Sequence, residues 1–187
     1  MKFNKRLLLS ILLLLTISFF LRGWLYRSIV TYKSIGQRQN YLPKDKKLIS
    51  YIEINVKSNP TTDVKDIIKI GLSTTAKLLN YSVAPNTNDP NKLIYTQTAH
   101  CVGYSACFST TCNYLFKKYN LDKNWKAKPQ IAQLYLFKTN VHQFFDTLFL
   151  KDHDIVIIEN QKTGELFAVD PTLNDYFYID FISFERN

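Results

Sequence analysis

The sequence predicts an α+β domain carried behind an apolar N-terminal helix. Three observations predict it. Leu7 to Leu21 reads LLLSILLLLTISFFL, fifteen residues without a charge. Between there and about residue 119 the apolar residues recur mainly at three- and four-residue steps. Beyond that point they form short runs broken by turn signals, such as Asp154–Glu159 (DIVIIE) before Asn160-Gln161-Lys162-Thr163-Gly164. Helices first and antiparallel strands afterwards is the order of an α+β domain.

The apolar run comes first. Lys2, Lys5 and Arg6 make residues 1–6 a basic n-region before it, the layout of an export signal. Fifteen residues is short for a bilayer, which needs roughly 20. Trp24, Leu25, Tyr26, Ile29 and Val30 extend the run, with Arg22 and Arg27 reaching to the interface, so residues 7–30 are assigned as a transmembrane signal anchor. No small-x-small cleavage site follows Leu21, where the sequence is Arg22-Gly23-Trp24; a cleaved signal peptide is the second reading. The expected location is the membrane, single-pass, with the domain exported to the periplasm or cell exterior.

Charge agrees with a bilayer partner. The chain has 187 residues and a net charge of +9, but seven of its 24 basic residues lie within residues 1–38, which contain no acid. The rest holds 17 basic against 15 acidic residues and is nearly neutral. An excess that flanks an apolar run fits anionic lipid and argues against nucleic acid. At 46% hydrophobic, the chain can bury a sizeable core.

Residues 31–44 read as a polar, basic linker ending at Pro43, and residues 45–187 as the domain. Leu48, Tyr51, Ile52 and Val56 fit a helical stripe. Asn59-Pro60-Thr61-Thr62-Asp63 is a helix start, followed by an apolar face from Val64 to Leu79. Ala84 to Asn91 is a loop by its Pro and Asn content. A helix runs from Cys101 to about Tyr119. Strands are expected at Ile131–Lys138, Asp154–Glu159, Glu165–Asp170 and Tyr176–Phe184, while Val141–Leu150 is not assigned. The aromatic cluster Tyr176, Phe177, Tyr178, Phe181 and Phe184 is expected mainly to pack in the core, with a groove lining as the alternative.

The three cysteines fall on the Cys101 helix. Their separations correspond to about 9, 7.5 and 16 Å of rise, and a disulfide needs Cα atoms within about 7 Å, so free thiols are expected. Cys107 and Cys112 read as packing residues. Ligands spread along one helix cannot converge on a metal ion, and neither CxxC nor HxxxH occurs. No nucleotide or flavin motif appears either, so no cofactor and no metal are inferred.

Cys101 is different because it starts its helix. Unpaired N–H groups there favour a thiolate and can hold an oxyanion. Gly103 lets another segment approach closely. A turn centred near Gln161 and Lys162 pairs residues whose numbers sum to about 323, which sets His153 opposite Asp170 at roughly 5 Å between Cβ atoms. A carboxylate there can orient the imidazole as a base for the thiol. His100 and His142 rank below His153 as bases. Gln97, in the loop before the helix, is a weaker candidate for an oxyanion donor, with a surface amide as its other role.

The stretch Ala99-His100-Cys101-Val102-Gly103-Tyr104-Ser105, then His153, then Asp170-Pro171-Thr172 resembles the transglutaminase-like superfamily, the papain-related cysteine enzymes, over roughly residues 60–180. Two positions depart from that pattern. Ala99 stands where the family has Gly, and Asp154-Ile155 follows His153 where an aromatic residue is frequent. The resemblance implies a transglutaminase-like/papain-like core and a catalytic triad of Cys101, His153 and Asp170. It also implies acyl transfer from a peptide or carboxamide substrate to water or to an amine. A non-catalytic protein-interaction domain of the same fold on a membrane stalk is the alternative, and it expects no contact between His153 and Asp170.

Overall fold

The computed structural model of the chain describes residues 5–56 and 61–186, so residues 1–4 of the n-region and the Asn59-Pro60 part of the expected helix start lie outside the described residues. The fold is mixed α and β behind an apolar N-terminal helix. That helix, α1, spans Lys5–Ile29. Leu7–Ile29 is long and apolar enough to cross a membrane by length and composition, and none of its residues is fully buried.

The chain enters a strand at once, β1 (Val30–Gln37), with no intervening linker. The expected linker over residues 31–44 is therefore corrected: its first half is an inner strand of the sheet, and the sheet begins at Val30. Only Val30 and Tyr32 of β1 are buried, side by side on one face of the strand. Further along, Ser34 donates to Gln130 Oε1 at 2.8 Å. A strand whose inward face turns polar after two residues has no apolar signature.

The helices follow: α2 (Lys46–Val56), α3 (Val64–Leu78), the short α4 (Pro90–Thr96) and α5 (Cys101–Lys118). Asp63 caps α3 by accepting from Lys65 N and Asp66 N, and Asp89 with Pro90 starts α4 in the same way. β2 (Asn80–Tyr81) and β3 (Thr98–Ala99) make a small parallel pair just before α5. The remaining elements are β4 (Trp125–Leu136), β5 (Thr139–Asn140), β6 (His153–Asn160), β7 (Leu166–Val169), α6 (Pro171–Phe177) and β8 (Ser183–Glu185). Residues 141–150, unassigned from sequence, contain two 3₁₀ turns. The expected strand at Tyr176–Phe184 is corrected to the end of α6 and the short β8.

The sheet runs in the order β7-β6-β4-β1-β8 with β5 on β4, antiparallel except for the β1–β8 pair. The helices pack on one face. Ile67, Ile68 and Leu72 of α3, and Tyr104, Phe108 and Phe116 of α5, bury against Ala127, Val156, Ile158 and Val169. A Cβ on Gly71 would stand 2.8 Å from Cys112 Sγ and 3.0 Å from Phe108, so only glycine allows α3 this close to α5. On the other face Val30, Tyr32, Ala132, Ile155, Ile157, Ala168 and Ile182 form a second core, with Tyr26 of α1 packed against it. Both faces of β6 are thus buried, which explains the unbroken apolar run Ile155–Ile158.

Candidate active site

Three elements end at one place: the N-terminus of α5, the start of β6, and the junction of β7 with α6. Cys101 is the first residue of α5 and 8% exposed. The chain before it is braced on β2 through Asn80 N to Gln97 O and Ser82 N to Ala99 O, both 2.8 Å. His100 is the N-cap, accepting from Val102 N through Nδ1 at 3.4 Å. Gly103 fits beneath this turn because a Cβ there would stand 2.6 Å from Ala99 Cβ. The close approach expected at Gly103 is therefore present, and it fixes where α5 starts.

His153 opens β6, opposite Ala132 of β4. Its Nε2 lies 2.7 Å from Asp170 Oδ2. The hairpin pairs Val156 with Val169, a sum of 325. The register is thus two residues from the expected one. A slip of two keeps every side chain on its face, whereas a slip of one would have parted the pair.

Asp170 is 2% exposed and serves two structures at once. Its Oδ1 caps α6, accepting from Thr172 N at 3.0 Å and Leu173 N at 2.9 Å. Its Oδ2 meets His153 and accepts from Tyr32 Oη at 3.0 Å. Four partners saturate a carboxylate. Burial alone would raise the Asp170 pKa, but the His153 charge and these hydrogen bonds hold it below the ordinary carboxylate value. Burial also disfavours a charged His153. The Asp170 carboxylate, with a smaller contribution from Cys101, outweighs it and raises the His153 pKa well above 6.5. Nε2 is taken by Asp170, which leaves Nδ1 as the ring nitrogen on the other side of the imidazole.

Behind the thiol lies a fully buried carboxylate, Asp154, with Cys101 Sγ 3.8 Å from its Oδ2. Arg38, just after β1, meets it with Nε on Oδ1 at 2.8 Å and Nη2 on Oδ2 at 3.2 Å. An anion there would oppose a thiolate, and the bidentate guanidinium offsets it. Sequence reasoning missed Tyr32, Arg38 and Asp154. One signal was present: an acid heading a run as apolar as IVII must be paired if that run is buried.

The other candidates fall elsewhere. Gln97 is exposed, closing α4 with φ 55°, and none of its contacts described here ties its side chain to Cys101. The backbone donors next to Cys101 are the first-turn N–H groups of α5. His100 meets the Phe149 ring edge-on at 6.3 Å, and His142 Nδ1 engages Leu150 O at 2.7 Å. Cys107 and Cys112 are free and buried; burial pushes the Cys107 thiol up to about 12 and raises Cys112 as well. Of the aromatic cluster, Phe181 packs against Phe167, whereas Tyr176, Phe177 and Tyr178 are exposed, contrary to the core packing expected of them. Among the described residues, no group of three or more His, Cys, Asp or Glu side chains could hold a metal ion. The chain matches no protein-family model and no curated protein.

Proposed function

We propose that the chain is a membrane-anchored thiol enzyme of transglutaminase-like type, acting on a peptide or carboxamide through Cys101, His153 and Asp170. The observation that carries the reading is the 2.7 Å contact between His153 Nε2 and Asp170 Oδ2, beside a thiol at a helix N-terminus. A non-catalytic domain has no need of that contact.

In this reading the Cys101 thiolate attacks the carbonyl carbon, forming a C–S bond. The oxyanion that develops lies against the first-turn N–H groups of α5. The His153 imidazolium gives its proton to the departing amine as the C–N bond breaks, leaving a thioester. Water or a second amine then attacks the thioester, His153 takes up its proton, and the thiolate is restored. Asp170 orients the imidazole and stabilises its charge. Arg38 keeps Asp154 from opposing the thiolate. Residues 7–29 anchor the domain, whose proposed side is the cell exterior or periplasm.

Alkylation of the full chain at varied pH, with the modified thiol identified by mass spectrometry, tests this. Cys101 alone is expected to react at pH 6, because burial keeps Cys107 and Cys112 protonated. His153→Ala is expected to slow that reaction on the order of 100-fold, given how little thiolate an ordinary thiol of pKa about 8.5 retains at pH 6. A rate that rises only near pH 8.5 and ignores the His153 change would sink the catalytic reading.

A further inference from the structure

Three chain segments beside the site are tied to the last two turns of α1. Arg22 Nε donates to Phe177 O at 2.8 Å and Arg22 Nη2 to Tyr178 O at 3.1 Å. Higher up, Arg27 Nη1 donates to Phe181 O at 3.2 Å, and Phe137 N donates to Ile29 O at 3.0 Å. The domain therefore sits alongside the end of α1 rather than above it. The C-terminus of α6 is held at the level of Arg22.

That level can be compared with a bilayer. The uncharged run Leu7–Leu21 covers about 22 Å of helix, short of the roughly 30 Å hydrocarbon core. An α1 that spans the core therefore places Arg22 at the boundary or just inside it. Phe177 is 60% exposed and Tyr178 68%, and both flank Arg22 where Trp24 of α1 is exposed too. Aromatic side chains at this depth are the interfacial belt of a membrane protein. The Arg22 guanidinium satisfies the last carbonyls of α6, which water would not reach there.

The site is close by. Asp170 caps the other end of α6, seven residues or about 10 Å away. A second path is shorter: Tyr26 of α1 meets Tyr32 Oη at 2.7 Å, and Tyr32 donates to Asp170. We infer that the aromatic end of α6, with Phe177 and Tyr178, rests in the lipid–water interface and holds Cys101 at the membrane surface. The substrate class is then a polypeptide tethered to the same bilayer, whose reacting carbonyl lies close to the headgroups. The substrate part rests on the proposed thiol chemistry; the placement does not.

The test uses the full chain in lipid vesicles and chloroacetamide probes attached to a lipid headgroup by short or long spacers, with a water-soluble chloroacetamide as reference. A short spacer of about 10–15 Å is expected to label Cys101 at least tenfold faster than the soluble probe at equal total concentration, because tethering raises the local concentration toward millimolar. Phe177→Asp combined with Tyr178→Asp is expected to slow short-spacer labelling about threefold or more by lifting α6 from the interface, with the soluble probe unaffected. Labelling that quickens only with a spacer beyond about 30 Å, or not at all, overturns the placement in the unmutated chain. If His153→Ala leaves the soluble-probe rate unchanged, the thiol chemistry fails and the substrate class with it, while the spacer comparison still decides where Cys101 lies.

Discussion

Asp170 joins two jobs that substitution can separate. Asparagine caps a helix about as well as aspartate, so Asp170→Asn should leave the start of α6 intact. It removes the charge that stabilises the His153 imidazolium. Turnover of a carboxamide substrate should fall about ten-thousandfold, and below about pH 6.5 the melting temperature should fall as well, because the charge pair with His153 is lost. Asp170→Ala should lose activity similarly and about 1 kcal/mol of capping besides. Equal melting of the two variants would mean that the cap contributes nothing. The same pair sets a pH window for stability. The folded His153 pKa lies above its unfolded value of about 6.5, so its contribution is complete below pH 6.5 and fades as pH rises through the raised value. The folded Asp170 pKa lies below its unfolded value of about 3.8, so its contribution is complete above that value and fades as pH falls through the lowered one. Both are whole between about pH 4 and 6.5, where thermal stability should plateau. His153→Ala should remove the decline on the alkaline side, and melts measured across pH 4–10 in detergent check it.

Elements differ in how plainly the sequence announces them. α5 and β6 were legible: one repeats apolar residues at helical steps, the other is buried on both faces and reads as a continuous run. The His153–Asp170 pairing was legible as well, because an error of two in register preserves faces. β1 was not. It follows an apolar helix without a break, buries only Val30 and Tyr32, and then presents Ser34 and Gly36 inward. Its stability comes from partners far along the chain, β4 and β8, and from Gln130, none of which a local window sees. α6 misread for a related reason. Its Asp-Pro start is a helix signal, but the aromatic run behind it resembles a strand. Arg38 and Asp154 stood outside any motif, and only the sheet brings them together. Their pairing also joins the exit of β1 to β6. Arg38→Ala should cost about 2–3 kcal/mol, less than the 3–5 of a wholly buried pair because the Arg38 side chain is about a third exposed. It should also slow Cys101 alkylation at pH 6, since the Asp154 charge would then face the thiolate unopposed. Denaturant melts and alkylation rates of one variant report both effects.

At the scale of the molecule, anchor and domain are one construction. α1 ends at Ile29 and the sheet begins at Val30, so no flexible stalk separates them. Tyr32, two residues into β1, is buried in the second core and hydrogen-bonded to Asp170. Cutting the chain at residue 39, inside the stretch that reads as a linker, removes the strand between β4 and β8. It would open the inner edge of β4 over the register Val30–Gln37, strand β8 and free Asp170 of its Tyr32 partner. An unpaired apolar edge of that length is an aggregation site. Residues 28–187 should therefore melt in a single cooperative transition, and residues 39–187 should show neither that transition nor rapid Cys101 alkylation at pH 6. Circular dichroism with thermal melting separates the two. A cooperative melt from residues 39–187 would mean that β1 only lines the sheet, and that the anchor and the site are independent after all.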